Sequence, residues 1–414
     1  VVGAGGREHA MCRALANSPQ RPQITIAPGN PGTAQLGQNR PVTLSDQGRL
    51  VQLAREEAVD LVLVGPEAPL VAGLADALAA AGIACVGAAR DAARLEGSKA
   101  LTRQLCAETG VPAPRFRIVS DPEALAPALA DWSDVPVVKA DGLASGKGVF
   151  LPQSLHEAHD TATRLLAGAL GDAGRRVVLE EPLRGTEASL FFACAGRSAQ
   201  LLPHAQDYKR RDDGDRGPNT GGMGAVSPNP QLGDDVVDDV RQRIVQPVLD
   251  ALAGRGMPFR GFLYAGVMLT DTGPKLLEFN VRLGDPETQA VLPRLAPGAF
   301  LELCREIAAD TVSDSTPLAV RTEPTCAVVL AAAGYPDTPR QGDSIHLDPA
   351  PETDERWVVH AGTQRHGDAL TTAGGRVAAI VARGSNAHRA RERAYEGIAH
   401  IHFTGMHYRT DIGC

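Results

Sequence analysis

The sequence predicts an α/β protein of several domains. Its 414 residues exceed what one ordinary core accommodates. Strand-like and helix-like patterns alternate through residues 1–90, and Asp60–Val64 is the near-continuous apolar run of a strand buried on both faces of a parallel sheet.

Taken in order, Val1–Val2 end a first strand, and Arg7–Asn17 carries Met11, Ala14 and Leu15 at helical spacing. Ile24–Ile26 is a second strand, followed by the turn-rich Pro28–Thr33. Asp46 is placed to N-cap a helix with Leu50, Leu53 and Ala54 inward. After Asp60–Val64 come Pro66–Leu70, an Ala-rich helix to Gly82 and a strand at Ile83–Val86, a right-handed βαβ series. Ser98–Thr109 is a helix that Gly110, Pro112 and Pro114 terminate. Val135–Lys139, Val149–Leu151 and Val177–Glu180 read as strands with a glycine-rich turn and a helix between them, and Ala188–Cys194, Phe262–Leu269 and Lys275–Phe279 as further strands. Ser313–Glu323 is a polar junction. Beyond it, strands at Cys326–Ala331 and Arg376–Val381 and a helix from Ser385 burying Ala387, Ala390, Ala394 and Ile398 make a small α+β unit. Tyr208–Gly224 reads as a charged loop too long for a simple connection. The implied domains are 1–95, 96–311 with a smaller subdomain at about 113–182, and 318–414.

Composition narrows the function classes. A net charge of −8 gives no field favouring nucleic acid, and no apolar run approaches membrane-spanning length. The seven cysteines are scattered without CxxC or Cys/His clusters, which argues against zinc and iron–sulfur sites and fits a reducing cytoplasm. Val1–Val2 run straight into a glycine turn without an initiator Met, so a few residues are expected to precede Val1.

Leu277–Gln289, reading LEFNVRLGDPETQ, concentrates the chemistry. Residues two apart on a strand share a face, so Glu278, Asn280 and Arg282 face one side and Phe279 and Val281 the other. Oxygen ligands beside a fixed positive charge are what Mg²⁺-bound phosphate requires, whereas a solvated strand end with a surface ion pair needs no ligand.

Gly3–Glu8 follows a strand and opens a helix, where backbone N–H groups bind phosphate or simply form a tight turn. It is a poor dinucleotide fingerprint, because Glu8 holds the third glycine position and Ile26-Ala27-Pro28 offers no acid to a ribose. Asp141–Gly148 follows Val137–Lys139 and is not a Walker A sequence, since Gly148 occupies the Ser/Thr place. Its glycines let backbone approach phosphate oxygens and Lys147 lean on them; Lys139 at the strand end is expected partly buried and in need of an anion. Val177–Leu183 ends in a proline-stopped hinge whose backbone can hydrogen-bond a purine edge, with Glu187 near enough for ribose hydroxyls. Asn219–Gly224 has the character of an active-site cover. Lys209-Arg210-Arg211, balanced by Asp212, Asp213 and Asp215, reads as a solvated loop. Arg389 and Arg393 read as a helix surface paired to Glu392 and Glu396.

These segments, in this order, resemble the phosphoribosylamine–glycine ligases, an ATP-grasp family. The matching runs are GGREHA (5–10), APGNPGT (27–33), VGPEAPL (64–70), LEGSKA (95–100), KADGLASGKGV (139–149), GPNTGGMGA (217–225), GFLYAG (261–266), EFNVRLGDPETQ (278–289), HAGT (360–363) and RTDIG (409–413). The resemblance spans nearly the whole chain and implies an N-terminal Rossmann-like βαβ domain, a central two-part ATP-grasp fold and a small C-terminal α+β domain.

The resemblance also implies roles. ATP lies between two sheets, with Lys99 and Lys139 on its phosphates and Gly142, Ser145, Gly146, Lys147 and Gly148 covering them. Glu180, Glu181 and Leu183 read adenine, Glu187 holds the ribose, and Glu278 and Asn280 ligate Mg²⁺ (or Mn²⁺). Glycine's carboxylate attacks the γ-phosphate, giving glycyl phosphate and ADP; 5-phosphoribosylamine then displaces phosphate. Gly5, Gly6, Arg7 and Glu67, with Asn219, Gly221 and Gly222, are expected around phosphoribosylamine. Arg282, Asp285 and Lys147 orient the reacting groups, and no covalent nucleophile is needed.

The strand Gly261–Thr270 lacks the additional metal-binding acid many ATP-grasp enzymes carry there, and relatives are expected to continue beyond Cys414. The expected setting is cytoplasmic, as a monomer or weak dimer, with neither nucleic acid nor membrane as partner. The rival readings are a sister ATP-grasp ligase acting on formate, bicarbonate or biotin, a nicotinamide-dependent dehydrogenase, and a non-catalytic nucleotide-binding regulator.

Overall fold

The computed structural model describes residues 1–144, 147–348 and 352–414. In the N-terminal part, strands Val2–Gly3, Thr25–Pro28 and Gln38–Asn39 pair in parallel, as do Leu61–Leu63 and Ala84–Val86. A parallel bridge from Val2 to Val64 joins the two groups into the strand order of a doubly wound fold. The helix Gln47–Glu56 starts where expected: Asp46 accepts the Arg49 N–H, and Leu50, Leu53 and Ala54 are buried. Helix Lys99–Thr109 is likewise capped by Ser98 and stopped by Gly110 at φ 71°.

Two antiparallel sheets follow. The smaller takes strands Phe116–Val119, Val177–Glu180, Val137–Ala140 and Val149–Phe150 side by side. The larger takes Ser198–Leu201, Thr186–Gly196, Phe259–Thr270 and Gly273–Asn280. Strand Thr186–Gly196 is covered on both faces, and its period of two is visible in the packing. Leu190, Phe192 and Cys194 meet Val240, Ile244 and Leu249. Phe191, Ala193 and Ala195 meet Phe300, Leu303 and Ile307. The covering helices, Asp234–Val240 continuing to Gln246–Gly254 and Ala299–Ala309, were absent from the sequence reading. An acid-rich start and Pro247 disguise the first, in which a π-helical turn at Arg241–Val245 precedes the proline.

The last sheet combines Arg356–His360, Arg376–Arg383 and Thr325–Ala331 with Gly224–Ser227 and Gln206–Asp207. Two of its strands therefore come from within residues 96–311, and the unit at 318–414 is completed by them. Helix Ala387–Ile398 covers this sheet through Ala390, Ala394 and Ile398. Asn386, not Ser385, caps it, and Ala387 is exposed, because the first helical position lies beyond the buried face. Arg389 pairs with Glu392 at 3.0 Å, but Arg393 turns to Glu355 rather than Glu396.

Tyr208–Gly224 is not a plain loop: Arg210–Asp212 and Arg216–Asn219 form a hairpin turning at Gly214 and Asp215, both at positive φ. The chain end anchors it. Buried Arg409 donates to the Arg210 carbonyl, and Gly214 N–H donates to Asp411 at 2.8 Å. Neither strand alternates apolar with polar residues, so no periodicity betrays them in sequence.

Candidate active site

Strand Gly273–Asn280 pairs with Phe259–Thr270, placing Gly266 opposite Glu278 and Tyr264 opposite Asn280. Phe279 and Val281 enter the core, while Glu278, Asn280 and Arg282 line a cleft of about 200 Å³. The strand alternation is as expected, and so is the absence of an acid opposite Glu278. Leu143, Ala144, Gly148, Lys99, Asp207, Lys209, Gly221, Asp285 and Glu287 complete much of the wall.

Charge is arranged around this strand end. Burial alone would raise the Glu278 carboxyl, yet Lys209, Lys139, Lys99 and Arg282 hold it below its ordinary value. Arg282 is fixed between two carboxylates, with Nε 3.2 Å from Glu67 and a terminal nitrogen 2.9 Å from Glu96. Glu96 also accepts the Val281 N–H at 2.8 Å. Burial pushes Glu96 up to about 7, opposed chiefly by Arg282. Burial likewise acts to raise Glu67, but Arg282 and Arg7 hold it below the usual carboxylate range.

The glycine loop is clamped by Asp141. Its carboxylate accepts from Ser98 Oγ and Ala100 N–H, and its other oxygen takes the Arg176 guanidinium at 2.5 Å. Its carbonyl accepts the Lys99 N–H. Asp141, where the loop begins, thereby sits at the N-terminus of helix Lys99–Thr109, a favourable place for anions. Gly142 passes so close to Ala173 that a Cβ would stand 2.8 Å from its Cα. Lys147 is exposed and outside the cleft wall, its N–H closing a turn on the Ala144 carbonyl. Ser145 and Gly146 lie outside the described residues.

Lys139 does meet an anion, but an internal one. Its ammonium is 2.7 Å from Glu180, which Arg103 also grips through two nitrogens at 2.6 and 3.0 Å. Burial opposes this charge, but Lys139 and Arg103 hold Glu180 down to about 2. Glu180 is held by Arg103, and Glu180, Glu181 and Leu183 are not among the residues of the cleft wall. The Glu181 N–H is already taken by the Arg115 carbonyl, so that donor is unavailable to a purine. Glu187 is exposed and accepts from Lys209 Nζ at 2.6 Å.

The N-terminal turn differs from its expectation. The Gly5 N–H donates to Glu8 at 2.6 Å, and Arg7 is buried against Glu8 and the Leu283 carbonyl. Glu8 fills the space a dinucleotide phosphate would need: a Cβ on Gly65 would lie 1.9 Å from its Oε1. Gly5, Gly6 and Arg7 thus back the cleft instead of lining it, with a Cβ at Gly5 3.5 Å from Asp285. Asn219 is exposed in the hairpin, and Thr220 and Gly221 reach the cleft in its place. Gly222 passes over Pro286, where a Cβ would come within 2.3 Å of Cδ. Arg376 stitches this turn to Asp285, donating to the Gly221 and Asp285 carbonyls at 2.5 Å each.

Sequence reasoning missed Glu96, Arg103, Asp207, Tyr264, Glu287 and Arg376. It also misplaced Lys209, which lines the cleft; burial would lower its ammonium, but Tyr264, Glu187, Glu278 and Asp207 hold it well above the ordinary lysine range. Only the strand register would have revealed Tyr264.

A divalent cation fits this donor set. Glu278 and Asn280 offer two oxygens on one face, which leaves positions to phosphate oxygens and water, as Mg²⁺ prefers. Among the described residues no group of three or more His, Cys, Asp or Glu side chains forms a freestanding metal cage. A larger cavity of about 610 Å³ lies between helix Gly6–Ala16 and the C-terminal sheet, lined by Arg13, Phe300 and Trp357. It contains neither Glu278 nor Asn280 nor any lysine.

Three family descriptions tile the chain: phosphoribosylglycinamide synthetase N domain over residues 1–96, its ATP-grasp (A) domain over 97–288 and its C domain over 325–414. A phosphoribosylamine–glycine ligase of Caulobacter vibrioides is 45% identical over 415 residues, covering 100% of this chain and 97% of the relative. That of Streptomyces coelicolor is 44% identical with the same coverage. The crystal structure of a phosphoribosylamine–glycine ligase from Thermotoga maritima superposes with a TM-score of 0.88 at 34% identity, covering 99% of this chain and 98% of that one. A biotin carboxylase domain from Hydrogenobacter thermophilus, solved with MgADP and bicarbonate, shares the fold at 15% identity and a TM-score of 0.74. With all three domain descriptions matched in order and relatives covered almost end to end, the chain belongs to the phosphoribosylglycinamide synthetase family.

Proposed function

We propose that this cleft joins glycine to 5-phosphoribosylamine using ATP, through glycyl phosphate, giving glycinamide ribonucleotide, ADP and phosphate for purine biosynthesis. The observation that carries the reading is Glu278 and Asn280 on one strand face, with the charges of Lys209, Lys139, Lys99 and Arg282 converging on Glu278. Bound between Glu278, Asn280 and the phosphates, Mg²⁺ (or Mn²⁺) would neutralise charge on the transferring group.

The chain's own residues do the rest. Lys99 and the loop at 142–148 receive the ATP phosphates at a helix N-terminus. Lys139, freed from or shared with Glu180, adds a further charge. A glycine carboxylate oxygen attacks the γ-phosphorus and the bond to ADP breaks. Arg282, locked by Glu67 and Glu96, offers a fixed cation to the acyl phosphate. The phosphoribosylamine nitrogen then attacks the acyl carbon, phosphate leaves, and the amine proton departs. Asp285 suits that proton's hydrogen bond: burial opposes its charge, but Arg376 and Arg7 keep it below the usual carboxylate range. Glu67 and Arg7 lie on the side from which phosphoribosylamine enters in this reading. Free cysteines throughout suit the reducing cytoplasm in which we place the reaction.

The direct test supplies Mg²⁺, ATP, glycine and freshly generated phosphoribosylamine, omitting each in turn. ADP, phosphate and glycinamide ribonucleotide are expected only with all four. AMP as product, or turnover indifferent to glycine, would assign the site to another ligase reaction.

A further inference from the structure

We propose that Asp207 and Glu287 form the subsite for glycine's ammonium group and hold that amine protonated through both steps of the reaction. This rests on the ligase reading above and adds two residues to which that reading gave no role.

The argument begins with charge pairing. Among the described residues, the cations around these two carboxylates make their direct ion pairs elsewhere: Lys209 with Glu187 at 2.6 Å, Arg282 with Glu67 and Glu96, and Arg376 with Asp285 at 3.5 Å. Asp207 Oδ1 is sealed from solvent and finds no hydrogen-bond partner among the described residues. Glu287 is 4% exposed, and its one side-chain donor is Ser189 Oγ at 3.3 Å, itself 3.2 Å from Tyr264 OH. Both acids line the same cleft as Glu278 and Asn280. Among the described residues neither the half-buried Asp207 nor the buried Glu287 forms a direct ion pair, so each carboxylate lacks a contacting cation.

The surrounding groups agree on the sign. Burial first, and Glu287 second, push Asp207 well above the ordinary carboxylate range, against the pull of Lys209 and Arg376 and with Glu187 adding to the rise. Burial raises Glu287 as well, with Asp285 adding to it and Lys209 and Arg282 opposing. An ammonium arriving beside them would favour the ionised form of both carboxyls.

Backbone packs closely on both carboxylates: a Cβ on Gly222 would stand 2.7 Å from Asp207 Oδ1, and one on Gly284 2.5 Å from Glu287 Oε2.

Holding the amine protonated has a chemical consequence. A neutral glycine amine could attack a second acyl phosphate; an ammonium has no lone pair. Phosphoribosylamine is then the one amine in the cleft able to react with the acyl carbon.

The test compares wild type with the isosteric Asp207→Asn and Glu287→Gln variants, each first checked for an unchanged thermal transition. The KM for glycine is expected to rise about 100-fold, as when one member of a buried charge pair is neutralised, while the KM values for ATP and phosphoribosylamine and the Mg²⁺ requirement stay put. Equal losses toward all three substrates, an altered Mg²⁺ requirement or an unchanged glycine KM would each overturn the assignment. Wild type provides a reading that needs no variant. Glycolate keeps the carboxylate but lacks the ammonium, so it should compete with glycine at least about 100-fold more weakly. Competition at similar strength overturns the proposal. A wild-type enzyme that does not ligate glycine at all would instead defeat the ligase reading itself.

Discussion

At Glu278, burial and neighbouring charge pull in opposite directions, and the charge of Lys209, Lys139, Lys99 and Arg282 wins. A carboxylate kept ionised at the end of a strand is what a phosphate-bound cation needs. Glu278→Ala is expected to abolish Mg²⁺-dependent ADP formation while leaving the unfolding midpoint near wild type; near-normal turnover would remove it from the metal site. Glu180 faces a different balance, because its charge is consumed internally by Arg103 and Lys139. Glu180→Gln should cost about 3–5 kcal/mol of stability, since it leaves two buried cations short of an anion. Its carboxyl falls from 4.5 to about 2 on folding, so this contribution is complete above pH 4.5 and disappears as pH drops through about 2. Denaturant titrations of both proteins at pH 7 would check it, and equal free energies would show the pair contributes nothing net. Spacing in the sequence was enough to assign Glu278, Asn280 and Arg282 to one face. It could not tell that the anion sought by Lys139 is Glu180, because that pairing depends on strands whose register no local pattern encodes.

At the scale of elements, the junction of the N-terminal helix with the C-terminal sheet depends on two histidines. The His360 N–H donates to His9 Nδ1 at 2.8 Å, and Asn30 donates to the His360 carbonyl at 3.0 Å. The runs GGREHA, APGNPGT and HAGT were legible as motifs, yet only the fold reveals that they meet. Burial, with His360 nearby, lowers His9 from 6.5 to about 3, and burial with Arg365 lowers His360 to about 4. Both are neutral in the fold, whereas the unfolded chain takes up protons below 6.5. Stability is therefore full above pH 6.5 and declines as pH falls toward about 3. His9→Asn retains an acceptor oxygen without a titrating ring, and should flatten that decline when unfolding is followed against pH. An unchanged slope would place the acid sensitivity elsewhere. The hairpin Arg210–Asp212 and Arg216–Asn219 marks the limit of sequence reading at this scale. Its strands alternate nothing apolar, so Lys209 beside it passed for a solvated residue although it reaches the cleft.

Across the whole molecule, the cleft is assembled from distant stretches of chain, and Arg282 is where they are tied together. Glu67 and Glu96 come from the N-terminal side of the chain, yet both close on a guanidinium that leaves the larger sheet. The Rossmann-like order, the two central sheets and the small terminal unit were foreseeable from alternating patterns and from the family resemblance. The tie was not, because an ion pair spanning 186 residues of sequence leaves no periodic trace. Its energetics can be separated from its chemistry. Arg282→Ala strands the buried Glu96 and the half-buried Glu67 and should destabilise by about 3–5 kcal/mol while stopping turnover. Adding Glu67→Ala to that variant removes one stranded charge, so the double variant should be no less stable than Arg282→Ala alone. The coupling from the four proteins of this cycle should lie within about 0.5–3 kcal/mol. Glu67→Ala alone should raise the KM for phosphoribosylamine more than that for ATP, because it loosens Arg282 on the side proposed for phosphoribosylamine. Strictly additive stabilities would mean that Glu67 and Arg282 do not act as a pair. Equal losses toward both substrates would mean that the tie supports the cleft as a whole without orienting the incoming amine.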